Sequence, residues 1–166
     1  LFGGGAAEWV GPGTGVAGAA LGHKCAVVDA GLWRHRDNAP KKPGPLEALA
    51  AFGGQEMAAI VGAVIAARMA RVPVLLDGFV STAAAAVLHA MQPGALDHCK
   101  VAHMSAEPGH RNLVEWLEKR PLLEFDMRLG EASGAALAIP LLRGACAIDA
   151  GMATFAEAGV SDKSDD

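Results

Sequence analysis

The 166-residue chain has no tyrosine, only 5% aromatic residues and three cysteines, Cys25, Cys99 and Cys146. With so few aromatics, the core must be built from Ala, Val, Leu and Gly, which suits close packing of helices on a sheet. The cysteines are odd in number, widely spaced and contain no Cys-x-x-Cys pair, which argues against a disulfide framework or a zinc site. That usage fits a reducing cytoplasm. Basic residues are scattered and not interleaved with aromatics, and net charge is −4, so no nucleic-acid partner is expected. The longest apolar run, Met57 to Ala67, ends at Arg68 and Arg71 and is too short to span a membrane. The first residues, Leu-Phe-Gly-Gly-Gly, carry no basic region of a secretory signal and read as the end of a strand.

What is present is abundant apolar surface, 52% of residues, punctuated by 21 glycines and 9 prolines. Residues 1–160 read as one α/β domain and 161–166 as a polar, frayed tail. After a glycine-rich opening, Gly3 to Gly15, the segment Val16 to Arg36 is predicted to be an amphipathic helix. Asp37 to Pro45 reads as a surface linker, and Leu46 to Arg71 as helix broken at Phe52-Gly53-Gly54. Val74-Leu75-Leu76 reads as a buried strand. Ser81 is expected to cap a helix ending before Pro93-Gly94. A second strand at Cys99 to His103 is followed by a helix with Pro108 near its first turn, and Leu122-Leu123 is a short third strand. Glu131 to Glu157 is expected to be mainly helical, with a break near Pro140.

This alternation predicts a three-layer α/β fold, a mainly parallel sheet flanked by helices in a Rossmann-like topology, truncated at the N-terminus. Ligands of such sheets bind outside the carboxyl ends of the strands. Three loops fall there: Asp77-Gly78-Phe79, Met104 to Gly109, and Arg128 to Gly134.

Within the last loop, Glu131 sits between Gly130 and Gly134 at the mouth of an apolar segment. A partly desolvated carboxylate there, its pKa raised, is a natural proton acceptor. It equally fits a first-turn helix residue complementing the helix dipole. Ser105, before Pro108, offers a hydroxyl beside a helix N-terminus for an anion, or a plain N-cap. Lys24 follows Gly11-Pro-Gly-Thr-Gly15 as a phosphate partner would, yet no P-loop or dinucleotide-binding glycine pattern is complete; a surface lysine is the plainer reading. His98 and His103 are expected on opposite sides of a strand. His103 and His110 flank the anion loop, as supporting, packing or surface residues.

Several blocks resemble, in order, the nicotinate-nucleotide–dimethylbenzimidazole phosphoribosyltransferases, which assemble the lower ligand of cobalamin. They are Val72-Pro-Val-Leu-Leu-Asp-Gly-Phe79, His103-Met-Ser-Ala-Glu-Pro-Gly-His110, Met127-Arg-Leu-Gly-Glu-Ala-Ser-Gly-Ala-Ala-Leu-Ala138 and Met152-Ala-Thr-Phe-Ala-Glu-Ala-Gly-Val160. Pro45 to Gly54 and Gly13-Thr-Gly-Val16 with Lys24 also fit. The resemblance covers nearly the whole chain but only the C-terminal half of the family enzyme.

The resemblance implies transfer of the phosphoribosyl group of nicotinate mononucleotide to 5,6-dimethylbenzimidazole, releasing nicotinate, in a cytoplasmic homodimer without cofactor or metal. It implies Glu131 as general base, with Lys24, Ser105 and amides near Gly134 holding the phosphate and Met127 and Leu129 lining the benzimidazole slot. The family also carries an N-terminal lobe and a Gly-Glu-x-Gly-x-x-Asn-Thr-Thr loop. Here Leu1 to Gly5 resembles the lead-in to that loop and passes directly to Ala6-Ala-Glu-Trp-Val10. Its acidic residues after Gly-Thr-Gly-Val are replaced by Ala17 and Gly18. A fragment or deletion form is therefore expected, with a non-catalytic nucleotide-binding or dimerisation module as the alternative.

Overall fold

The computed structural model describes residues 1–37, 41 and 43–161. Part of the linker expected at 37–45, and all of the expected polar tail beyond Ser161, lie outside the described residues. The fold is dominated by helices. They are α1 (Ala6–Trp9), α2 (Ala19–Leu32), α3 (Pro45–Phe52), α4 (Gly54–Met69), α5 (Phe79–Met91), α6 (Pro108–Trp116) and α7 (Ser133–Gly151). Among the described residues three short strands accompany them: β1 (Val74–Leu76), β2 (Cys99–Met104) and β3 (Pro121–Glu124).

The strands form an open parallel sheet in the order β1-β2-β3, with Val74 opposite Cys99 and Val101 opposite Pro121. The parallel pairing and the β/α alternation hold from β1 to β3. The expected sheet-based Rossmann-like fold does not. Outside that unit the alanine- and glycine-rich segments form helices, where Ala is favoured and no β-branched runs compete. Residues 1–5, expected as a strand end, contain no strand.

Helices α5 and α6 connect the strands and pack on each other, while α7 crosses all three strands. The main core joins α4 (Val61, Val64), β1 (Leu76), α5 (Ala84 to Leu88), Leu96, Cys99, α6 (Leu113) and its C-cap Leu117. Small alanines on α5 let the neighbouring backbones approach, as the scarcity of aromatics requires.

Several boundaries differ from expectation for physical reasons. Gly78, not Ser81, is the N-cap of α5; Ser81 lies one turn inside and accepts the Gly78 amide on its hydroxyl at 3.2 Å. Helix α7 starts at Ser133, because Gly130, Glu131 and Ala132 hold φ of 78°, 55° and 60°, which no right-handed helix admits. It then runs unbroken through Pro140. The segment expected as one amphipathic helix becomes α2 plus a π-helical turn at Trp33–Asp37, and α2 buries none of its residues. Helix α7 is long and apolar enough to cross a membrane by length and composition, and 11% of its most apolar window is buried. Leu137, Ile139, Leu141 and Ile148 are exposed along it.

Candidate active site

The carboxyl ends of the three parallel strands gather the loops singled out from the sequence. After β1, Asp77 accepts the amide of Ala135, in the first turn of α7, at 2.8 Å. After β2, the amide of Ala106 donates to the carbonyl of Met127 at 2.9 Å. These two bonds fasten the loops after β1, β2 and β3 to one another, because parallel strands deliver all their carboxyl ends to the same edge.

Ser105 is buried at the end of β2. Its amide donates to Nδ1 of His110 at 2.9 Å, and its hydroxyl accepts the amide of Glu107 at 3.3 Å. With that acceptor role filled, the hydroxyl proton remains available to an incoming oxygen. His110 Nδ1 accepts, so the neutral ring carries its proton on Nε2, which donates to the Thr82 hydroxyl at 3.1 Å. Burial, reinforced by His103 and opposed by Asp77, pushes the His110 pKa down to about 4. The ring is therefore a neutral strut between α5 and the Ser105 loop.

Lys24 lies on α2. Its Nζ donates to the Gly11 carbonyl at 2.8 Å. The Gly11 backbone presses on Glu107 and Pro108, where any side chain would collide with both. The glycine-rich opening thus lies between Lys24 and the N-terminus of α6. A polar cleft of about 410 Å³ adjoins it, lined by residues that include Ser105, Glu107, Arg111, Asn112, Glu124 and Asp126.

Gly134 is buried in the first turn of α7, and a Cβ there would overlap the imidazole of His103. His103 is 1% exposed, its Nε2 3.9 Å from Asp77 Oδ1, and neither ring nitrogen has a partner among the described residues. At 3.9 Å the pair is too long for a hydrogen bond. His98, expected on the opposite side of the same strand, precedes β2 and contacts the Val64 carbonyl through Nε2 at 3.1 Å.

Glu131 is exposed, two residues ahead of α7 in a left-handed turn. This corrects the expected desolvation of the carboxylate and its placement in the first helical turn. Met127 is half-buried and Leu129 is 63% exposed; neither lines the polar cleft. The structure brings Ser105 and Gly134 together around Gly78 and His103, while Lys24 is tied to Gly11, whose backbone abuts Glu107 and Pro108. It leaves Glu131 and Leu129 on its open side.

Asp77, His103 and Thr82 complete this neighbourhood. Asp77 is visible in the sequence as a lone acid closing an apolar strand. The pairing of Thr82 with His110 depends on helix packing that no local pattern encodes.

A family model described as phosphoribosyltransferase matches residues 1–160. The nicotinate-nucleotide–dimethylbenzimidazole phosphoribosyltransferase of Methylorubrum extorquens is 58% identical over 163 residues. That of Rhizobium meliloti is 54% identical over the same length. Both alignments take in 98% of this chain and 47% of the relative, so the chain spans about half the length of these proteins. The crystal structure of CobT from Thermus thermophilus superposes with a TM-score of 0.86 at 46% identity, over 96% of this chain and 46% of that one. The chain belongs to the nicotinate-nucleotide–dimethylbenzimidazole phosphoribosyltransferase family.

Proposed function

We propose that this chain supplies the nucleotide-holding and proton-accepting part of a phosphoribosyltransferase acting on nicotinate mononucleotide and 5,6-dimethylbenzimidazole. One benzimidazole nitrogen attacks the anomeric carbon of the ribose and the bond to nicotinate breaks, giving α-ribazole phosphate and nicotinate. The proton on the other benzimidazole nitrogen passes to the Glu131 carboxylate. Ser105, Lys24 and the amide side of Gly134 hold the phosphate, and Met127 and Leu129 face the flat base. Holding both reactants in line is the main contribution such a site makes to a displacement of this kind.

The observation that carries this reading is the junction of Asp77, Ser105 and Gly134 on one strand edge, in a chain 58% identical to a relative of that name. The exposure of Glu131 favours a second reading, a nucleotide-binding or dimerisation module without turnover. In the first reading, chain from outside these residues or a second copy covers Glu131, so a homodimer is part of the proposal. The apolar face of α7 supports such a cover. The free cysteines support a cytoplasmic setting. Neither a nucleic-acid nor a membrane partner, nor any metal or cofactor, enters the reaction as written.

The test is Glu131→Gln in a protein carrying both halves of the family enzyme. α-Ribazole phosphate formation is expected to fall at least a hundredfold while nicotinate mononucleotide still binds. Turnover within a few-fold of the parent removes Glu131 as the base. Binding of the nucleotide without any binding of dimethylbenzimidazole favours the module.

A further inference from the structure

The buried positions of α5 are alanine, valine and leucine with one exception, Thr82. Threonine is a weaker helix former than the alanines around it, and a buried hydroxyl must find a partner. Its partner is His110 on α6: Thr82 Oγ1 and His110 Nε2 lie 3.1 Å apart, and both residues are 0% exposed. The other ring nitrogen, Nδ1, takes the Ser105 amide at 2.9 Å. Three elements are thus joined in one line, α5 to α6 to the loop after β2.

The line has a fixed direction. A backbone N–H can only donate, so Nδ1 must be bare and the proton of the neutral ring sits on Nε2. His103 on β2 and Asp77 after β1 act on this ring electrostatically, but neither is its hydrogen-bond partner among the described residues. The tautomer is therefore chosen at Thr82 and read out at Ser105. A proton moved to Nδ1 would face the Ser105 N–H, donor against donor in a buried place.

Ser105 in turn lines the polar cleft of about 410 Å³. Its amide is committed to His110 and its hydroxyl oxygen to the Glu107 amide at 3.3 Å. What it still offers is the hydroxyl proton, presented from a backbone that the ring holds from behind.

We propose that Thr82 is a positioning residue for the substrate phosphate: its hydroxyl fixes the His110 tautomer, which holds the Ser105 hydroxyl where a phosphate oxygen meets it. The assignment rests on the phosphate reading of Ser105 in the proposed function. Thr82 is enclosed and touches no substrate, so it acts through Ser105 alone.

The test compares nicotinate mononucleotide with nicotinate riboside, which lacks the phosphate, by calorimetry on this chain. Thr82→Val, close in shape but without the hydroxyl, is expected to weaken nucleotide binding about tenfold and leave nucleoside binding unchanged. Thr82→Ser is expected to restore the nucleotide affinity. In a Ser105→Ala background, Thr82→Val is expected to cost nothing further, because the two groups act in series. Nitrogen NMR is expected to show His110 protonated on Nε2 in the parent and in Thr82→Ser, and to lose that single tautomer in Thr82→Val. Thr82→Ala takes the place of Thr82→Val if the latter does not fold. Equal losses for nucleotide and nucleoside, losses that add in the Ser105→Ala background, or a proton on Nδ1 in the parent overturn the assignment and leave the phosphate reading standing. A parent that binds no nucleotide, or binds nucleotide and nucleoside alike, overturns both together.

Discussion

The Ser105 amide and His110 Nδ1 meet at 2.9 Å, with the amide as donor. That direction leaves Nδ1 no proton of its own, because a protonated Nδ1 would face the Ser105 N–H donor against donor. The bond couples the loop after β2 to the ionisation of a ring in the core. Ser105 keeps its position only while His110 is neutral.

Stability should consequently fall in acid through this ring. The folded state holds His110 at about 4, below the ordinary value of 6.5, so the unfolded chain binds the extra proton first. The contribution is complete above pH 6.5 and is lost as pH falls from there to about 4. Its full size is about 3 kcal/mol. Denaturation at pH 7 and pH 4.5 should show a markedly smaller loss for His110→Asn, which keeps an acceptor for Ser105 but does not titrate. Equal losses in variant and parent would show that His110 does not control the slope.

Gly134→Ala should be destabilising although alanine is the better helix former. The new Cβ runs into the His103 ring in a region with no slack. Overpacking of this kind costs about 1–3 kcal/mol, more than the roughly 1 kcal/mol that the propensity gain returns. Adding His103→Ala should recover much of the loss, and the double-mutant cycle measures the coupling directly. Simple additivity of the two changes would place the clash elsewhere.

Lys24→Gln should weaken nicotinate mononucleotide binding about tenfold and flatten its salt dependence, as expected for removal of one charge-assisted contact. One ammonium proton is held by Gly11, and two remain for a phosphate. Titration at two salt concentrations checks this. An affinity unchanged within twofold would reduce Lys24 to a tether for the glycine-rich segment.

The unit from β1 to β3 is legible because its signals are local. Apolar runs such as Val74-Leu75-Leu76, and punctuation such as Pro93-Gly94 and Pro108, each act within a few residues. The overall class is not legible in the same way. The flanking helices are expected too; what misleads is the weight given to strands that are only 3, 6 and 4 residues long, which leaves the helices dominant. The start of α7 departs from expectation because Glu131 and Ala132 adopt a left-handed turn that neither residue type announces. In the candidate site, Ser105 and Gly134 stand out as a hydroxyl and a glycine at loop boundaries. The buried His103 and His110 do not, since their roles arise from contacts with Gly134 and Thr82 across the fold.

The contiguity of β1, α5, β2, α6 and β3 has a kinetic consequence. Every strand pairing in the sheet joins neighbours in sequence, so each crossover closes a short loop before the next begins. Residues 74–124 should therefore form the last part of the molecule to open, and the amides of α5 and β2 should exchange with deuterated solvent most slowly. Helices α2 and α7, with almost no buried side chains, should exchange well before them. The sheet edge that carries Asp77 and Ser105 would then stay assembled while the turn bearing Glu131 comes and goes.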